Sequence, residues 1–70
     1  MKIKLRYVGN TPSHRLSYDN VAVDEHGKFY VRSACDPDCD QPYRAVAECP
    51  ALETNGPPDS DTFYDEEVAA

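Results

Sequence analysis

The sequence predicts a small α+β domain: a three- or four-stranded antiparallel meander, one or two short helices and an acidic C-terminal segment. Three observations carry that expectation. Residues 20–33 read as a hairpin, with Val21 and Val23 alternating before the polar Asp24-Glu25-His26-Gly27 and Phe29 and Val31 alternating after it. A period of two is what a half-buried strand requires, and glycine suits the positive φ that a short hairpin loop demands. Residues 2–8 alternate in the same way. Finally, eight of the twelve Leu, Ile, Val and Phe residues fall in residues 1–32, so the first half builds the core.

Seventy residues allow one domain, divided here into a β-meander core over 1–33 and an acidic loop, short helix and acidic tail over 34–70. A chain of this size buries only about 60% of its unfolded surface. Twelve such residues in seventy also lies under the roughly 20% below which a charged chain tends toward disorder, so the packing must be economical.

In order, Lys2 to Val8 is the first strand, placing Ile3, Leu5 and Tyr7 on one face and Lys2, Lys4 and Arg6 on the other. Gly9 to Ser13 reads as punctuation. The second strand lies within Leu16 to Asp24, starting as late as Tyr18 or Asn20, and Lys28 to Ser33 is the third. In a meander with one wet face, Ile3, Leu5, Val21, Val23, Phe29 and Val31 are buried together, and Lys2, Lys4, Arg6, Tyr30 and Arg32 share the solvent side. Ala34 to Gln41 is an acidic loop. Residues 42–48 fit a short helix, with Asp38 or Asp40 as N-cap and Pro42 in its first turn, although their alternation also suits a fourth strand. After the turn at Asn55-Gly56-Pro57-Pro58, Ser60 or Asp61 caps a last helical turn through Val68.

Charge divides the chain at the same place as the core. Residues 1–32 hold six basic residues against three acids, +3, while residues 33–70 hold Arg44 against ten acids, −9. Such asymmetry points to an acidic interaction surface or to internal pairing of the halves. The basic strand face with its tyrosine matches a pattern used by RNA-binding sheets, but the acidic half would repel a phosphate backbone. No direct nucleic-acid binding is expected.

Chemistry-bearing motifs are sparse. Cys35, Cys39 and Cys49, with His14 or His26, supply enough ligands for zinc. The three residues between Cys35 and Cys39 are not the usual zinc-knuckle spacing, and a disulfide between two of the three or plain thiols remain open. Asp36, Asp38 and Asp40 flank the first two cysteines and are expected to raise rather than lower their thiol pKa, which argues against a nucleophile. Asp36, Asp38 and Asp40 occupy positions one, three and five of a calcium loop, but Gln41 stands where glycine is needed and Ala47 where a glutamate is needed. No phosphate loop, hydrolase triad or metalloprotease motif is present. The expectation is a non-enzyme with no cofactor and no metal. No apolar run approaches the ~20 residues of a membrane helix, and the charged, alternating start is unlike a signal peptide, so a cytoplasmic protein is expected.

No family is recognised by motif. In composition the chain resembles the small acidic inhibitors that phages and mobile elements encode against nucleic-acid machinery, anti-CRISPR proteins among them. That resemblance implies a nucleic-acid mimic filling a Lys/Arg-lined groove of a target protein. The carboxylates assigned to such a surface are Asp36, Asp38, Asp40, Glu48, Glu53, Asp59, Asp61, Asp65, Glu66 and Glu67, with Tyr64 as a rigid contact group. The rival readings are a structural or regulatory domain whose acidic half packs on its own basic sheet face, and a Cys/His zinc-binding module.

Overall fold

Val21, Ala22 and Val23 are consecutive, and all three are buried. Successive side chains of a strand point to opposite faces, so the strand that carries them is covered on both sides. That strand is the middle of a five-stranded sheet. The computed structural model describes residues 1–12, 18–34, 41–53 and 61–69. Its strands are β1 (Lys2–Pro12), β2 (Tyr18–Asp24), β3 (Phe29–Ser33), β4 (Arg44–Val46) and β5 (Phe63–Glu67), hydrogen-bonded in the order β4-β3-β2-β1-β5 with every neighbouring pair antiparallel.

The β2–β3 hairpin closes as its sequence predicts. Asp24 Oδ1 accepts the backbone N–H groups of His26 at 2.8 Å and Lys28 at 2.9 Å, and Gly27 supplies a φ of +85°. An aspartate that satisfies the turn's own donors is the usual reason for Asp at this position. Pairing of Val23 with Phe29 and of Val21 with Val31 follows directly.

β1 differs from the expectation. Residues 9–12 are strand rather than punctuation, because the chain absorbs one extra residue before Gly9 as a bulge. Tyr7 pairs with Ala22 and Gly9 with Val21, leaving Val8 as the extra residue, and Gly9 takes a φ of +148° that a side chain would resist. The side chain of Leu52 lies 3.6 Å from where a Gly9 Cβ would sit, and the Glu53 N–H donates to Asn10 O at 2.8 Å. The chain beyond β4 therefore crosses to the far half of β1.

The two outer strands meet. Tyr43 and Val68 form a parallel bridge in which the Tyr43 N–H donates to Glu67 O at 2.9 Å and the Ala69 N–H to Tyr43 O at 2.8 Å. The sheet is thus curled into a partly closed barrel, which reduces the exposed edge that an open sheet would leave. Inside the curl Leu5, Ala22, Tyr30, Tyr43 and Val68 are buried together, with Ile3 against them. On the outer face Val8, Val21, Val23 and Val31 form a second buried cluster with Phe29 and Val46. Each fully buried aliphatic side chain contributes ~1.5–3 kcal/mol.

Several expectations are corrected. The structure is all-β, with no helix among the described residues, and not α+β. Residues 44–46 pair with β3 and residues 63–67 with β1. A helix confined between Pro42 and Pro50 has too few turns to offset its nucleation cost, whereas the open edge of β3 offers backbone partners at once. The single core is corrected to two. Arg6 pairs with Val23, while Leu5 pairs with Asp24 and so shares a face with Ala22 and Tyr30. Ile3 and Leu5 therefore lie on the opposite side of the sheet from Val21, Val23, Phe29 and Val31. For the same reason the wet face of Lys2, Lys4, Arg6, Tyr30 and Arg32 does not exist: Tyr30 is buried and Arg32 points into the curl.

Candidate binding surface

Four of the carboxylates assigned to the binding surface, Asp36, Asp38, Asp40 and Asp59, lie outside the described residues, as do Cys35, Cys39 and His14. The others divide by what their own strand does with them. Residues 63–67 carry Tyr64, Asp65, Glu66 and Glu67 on β5, laid antiparallel along the basic start of β1. Lys2 stands opposite Glu67 and Lys4 opposite Asp65, so acid and base alternate in register. Lys4 Nζ reaches Asp65 Oδ1 at 3.1 Å, and the N-terminal ammonium pairs with Glu67 Oε2. Beside that ammonium the Glu67 carboxyl is held below its ordinary value by the hydrogen bond and charge.

Glu66 faces the other way, into the curl. Its carboxylate lies 3.8 Å from Arg32 Nη1, and the Arg32 guanidinium stacks on the Tyr43 ring with its Cζ 4.5 Å from the centroid. Burial pushes the Tyr43 hydroxyl pKa up, against the pull of Arg32. The buried Arg32 Nε has no hydrogen-bond partner among the described residues, and the guanidinium is held by stacking and charge. Arg44 makes a further pair across the outer face with the buried Asp19, at 3.4 Å. Neither Arg32 nor Asp19 was marked as special by the sequence. The available signal was Asp19 itself, an acid inside a strand with no other reason to be there.

Glu48, Glu53 and Asp61 occupy the segments that flank the strands. Glu48 and Asp61 are exposed and Glu53 is half-buried. None of the three forms an ion pair with a described residue. Tyr64 is 60% exposed, a large ring left to solvent. Cys49 is an exposed free thiol, and no group of three His, Cys, Asp or Glu among the described residues is placed to hold a metal ion. Among the same residues no helix is long and apolar enough to cross a membrane.

Compared with family models, curated proteins and solved structures, the chain matches none. Function therefore has to be argued from this surface.

Proposed function

We propose that this is a non-enzymatic, acidic interaction protein that binds a basic, nucleic-acid-binding groove of a target protein in the cytoplasm. One observation carries the reading. The three side-chain ion pairs Lys4–Asp65, Arg32–Glu66 and Arg44–Asp19 cancel charge for charge, and outside them ten acids stand against four basic residues, so the net −6 is left over. Excess charge of one sign on a small fold opposes compaction, and a partner of opposite sign relieves it. The longest axis of the molecule is 29 Å, which covers about eight phosphates of one nucleic-acid strand at ~3.4 Å each. Glu48, Glu53 and Asp61, joined by Asp36, Asp38, Asp40 and Asp59, are the residues assigned to that contact, with Tyr64 as the aromatic group between charges.

The register of β5 on β1 favours a second reading for the remaining acids. Asp65, Glu66 and Glu67 are spent on internal cations, as a self-neutralising regulatory or structural domain would use them. The two readings divide the carboxylates between them and are separable.

The experiment is capture of partners from a lysate on immobilised protein, with washes of rising salt. Retained proteins should carry Lys/Arg-rich nucleic-acid sites, should elute as salt screens the contact, and should be released by added DNA or RNA. Retention of partners that neither salt nor nucleic acid displaces would refute the groove reading.

A further inference from the structure

The start of β1 and the β2–β3 hairpin form one mouth of the curl, next to the Tyr43–Val68 closure, where the Val68 N–H donates to Met1 O at 2.8 Å. A cleft of about 270 Å³ occupies that mouth. Its apolar wall is Met1, Ile3 and Tyr30, and its rim is Asp24, Glu25 and His26, with Lys4 alongside. Barrel mouths are a recurrent location for binding sites. This one lies just under the ~300–1,000 Å³ of small-molecule pockets, a size suited to one long side chain rather than a cofactor.

Its charges specify which side chain. Two of the cations at the cleft are already matched, Lys4 to Asp65 and the N-terminal ammonium to Glu67. Neither Asp24 nor Glu25 forms an ion pair with any described residue. Asp24 is moreover kept ionised by the N–H groups of Lys28 and His26, which hold its pKa down. The Tyr30 ring already takes a cation, for Lys28 Nζ lies 5.9 Å from its centroid, at the outer limit of a cation–π contact. Asp24 is hydrogen-bonded to two N–H groups and to the Tyr30 hydroxyl, and Glu25 is exposed. An apolar wall, an aromatic ring and two carboxylates without an ion-pair partner among the described residues fit a methylene stem ending in positive charge.

We infer that the mouth of the curl, between Ile3, Tyr30, Asp24 and Glu25, seats a lysine or arginine side chain of the basic partner. This rests on the reading that the partner surface is basic, and it names one of the places where that surface engages.

The probes are acetylated, amidated pentapeptides with one lysine or one arginine between glycines, a norleucine peptide as uncharged control, and oligoarginine as a general basic ligand. Binding is followed by backbone amide shifts of the whole protein. The lysine and arginine peptides should move the resonances of Ile3, Asp24–Lys28 and Tyr30, and the norleucine peptide should not. Glu25→Gln, a surface change, should weaken binding about two- to fivefold, as loss of one exposed charge pair does. Lys28→Met should strengthen it, by removing the competing ammonium. Equal shifts with norleucine, or no response to either substitution, would overturn the inference. Shifts confined to Glu48, Glu53 and Asp61 would also overturn it while leaving the basic-partner reading intact. Silence even with oligoarginine would remove both.

Discussion

Arg32 on β3 and Glu66 on β5 sit 3.8 Å apart although β2 and β1 separate their strands in the sheet. Only a curled sheet brings those two side chains together. Their side chains are 24% and 30% exposed, so each charge has lost much of its water. Removing one partner therefore strands the other. Glu66→Ala is expected to lower stability by ~1–3 kcal/mol, between the values of exposed and buried pairs, and Tm by about 4–8 °C per kcal/mol. The double change Arg32→Met with Glu66→Leu should be less harmful than the sum of the singles. Urea unfolding of the four proteins tests this, and strict additivity would show that the pair does not couple.

Leu5 is 1% exposed at the centre of the inner cluster. Leu5→Ala should cost ~2–5 kcal/mol, a large part of the stability available to a chain this small. Because the two clusters lie on opposite faces, Leu5→Ala and Val31→Ala should add in their effects on chemical denaturation. Strong coupling between them would mean one continuous core.

How legible this was from the residues depends on the local signal. The hairpin was legible because Asp24 and Gly27 carry turn chemistry that acts within five residues. The face assignment was not. Alternation fixes which residues of one strand share a face but not the phase between strands, and that phase was set here by the pairing of Arg6 with Val23. β5 was hidden because Phe63-Tyr64-Asp65-Glu66-Glu67 has no apolar period. Its signal was long-range: acids two apart matching lysines two apart in β1. The internal use of Asp65, Glu66 and Glu67 was accordingly legible only as the rival reading of the acidic half.

Gly9 and Gly27 both hold positive φ, but in different surroundings. At Gly27 nothing lies within 4 Å of an added Cβ, and at Gly9 the nearest atom is Leu52 Cδ2 at ordinary contact distance. Backbone strain is then the shared cost, and Gly27→Ala should lower stability by ~1–2 kcal/mol. Gly9→Val should cost more, because a β-branched residue must hold the bulge conformation inside β1. Equal Tm values for both variants and the parent would show that neither φ is required.

The folded pKa values of Asp24 and Glu67 lie below their ordinary 3.8 and 4.5. For Asp24 the leading cause is the Lys28 N–H, followed among the favourable contacts by the His26 N–H and the Tyr30 hydroxyl. A carboxyl whose pKa falls on folding binds more protons when unfolded. Its contribution is present above the unfolded pKa and is lost as pH falls through the folded one. Stability should therefore hold near neutral pH and fall below about pH 4, where unfolded aspartate titrates. Asp24→Asn keeps an oxygen for both N–H groups but cannot titrate, so the acid limb should flatten while the hairpin persists. An unchanged limb in thermal melts from pH 7 to 2 would place the effect elsewhere.

Neutralising two sets of acids should give opposite results. Glu48→Gln, Glu53→Gln and Asp61→Asn remove charges that pair with no described cation, and such changes usually move folding by less than ~0.5 kcal/mol. That triple variant should keep its Tm and lose affinity for the captured partner, with a shallower salt dependence because fewer charges cross the interface. Asp65→Asn, Glu66→Gln and Glu67→Gln instead strip the partners of Lys4, Arg32 and the N-terminal ammonium. That variant should lose Tm while the folded fraction still binds. Each set serves as the other's control, since loss of binding through unfolding would track the Tm. If the first triple retains full affinity and the second loses it while fully folded, the contact runs through β5 and the assignment to Glu48, Glu53 and Asp61 is wrong.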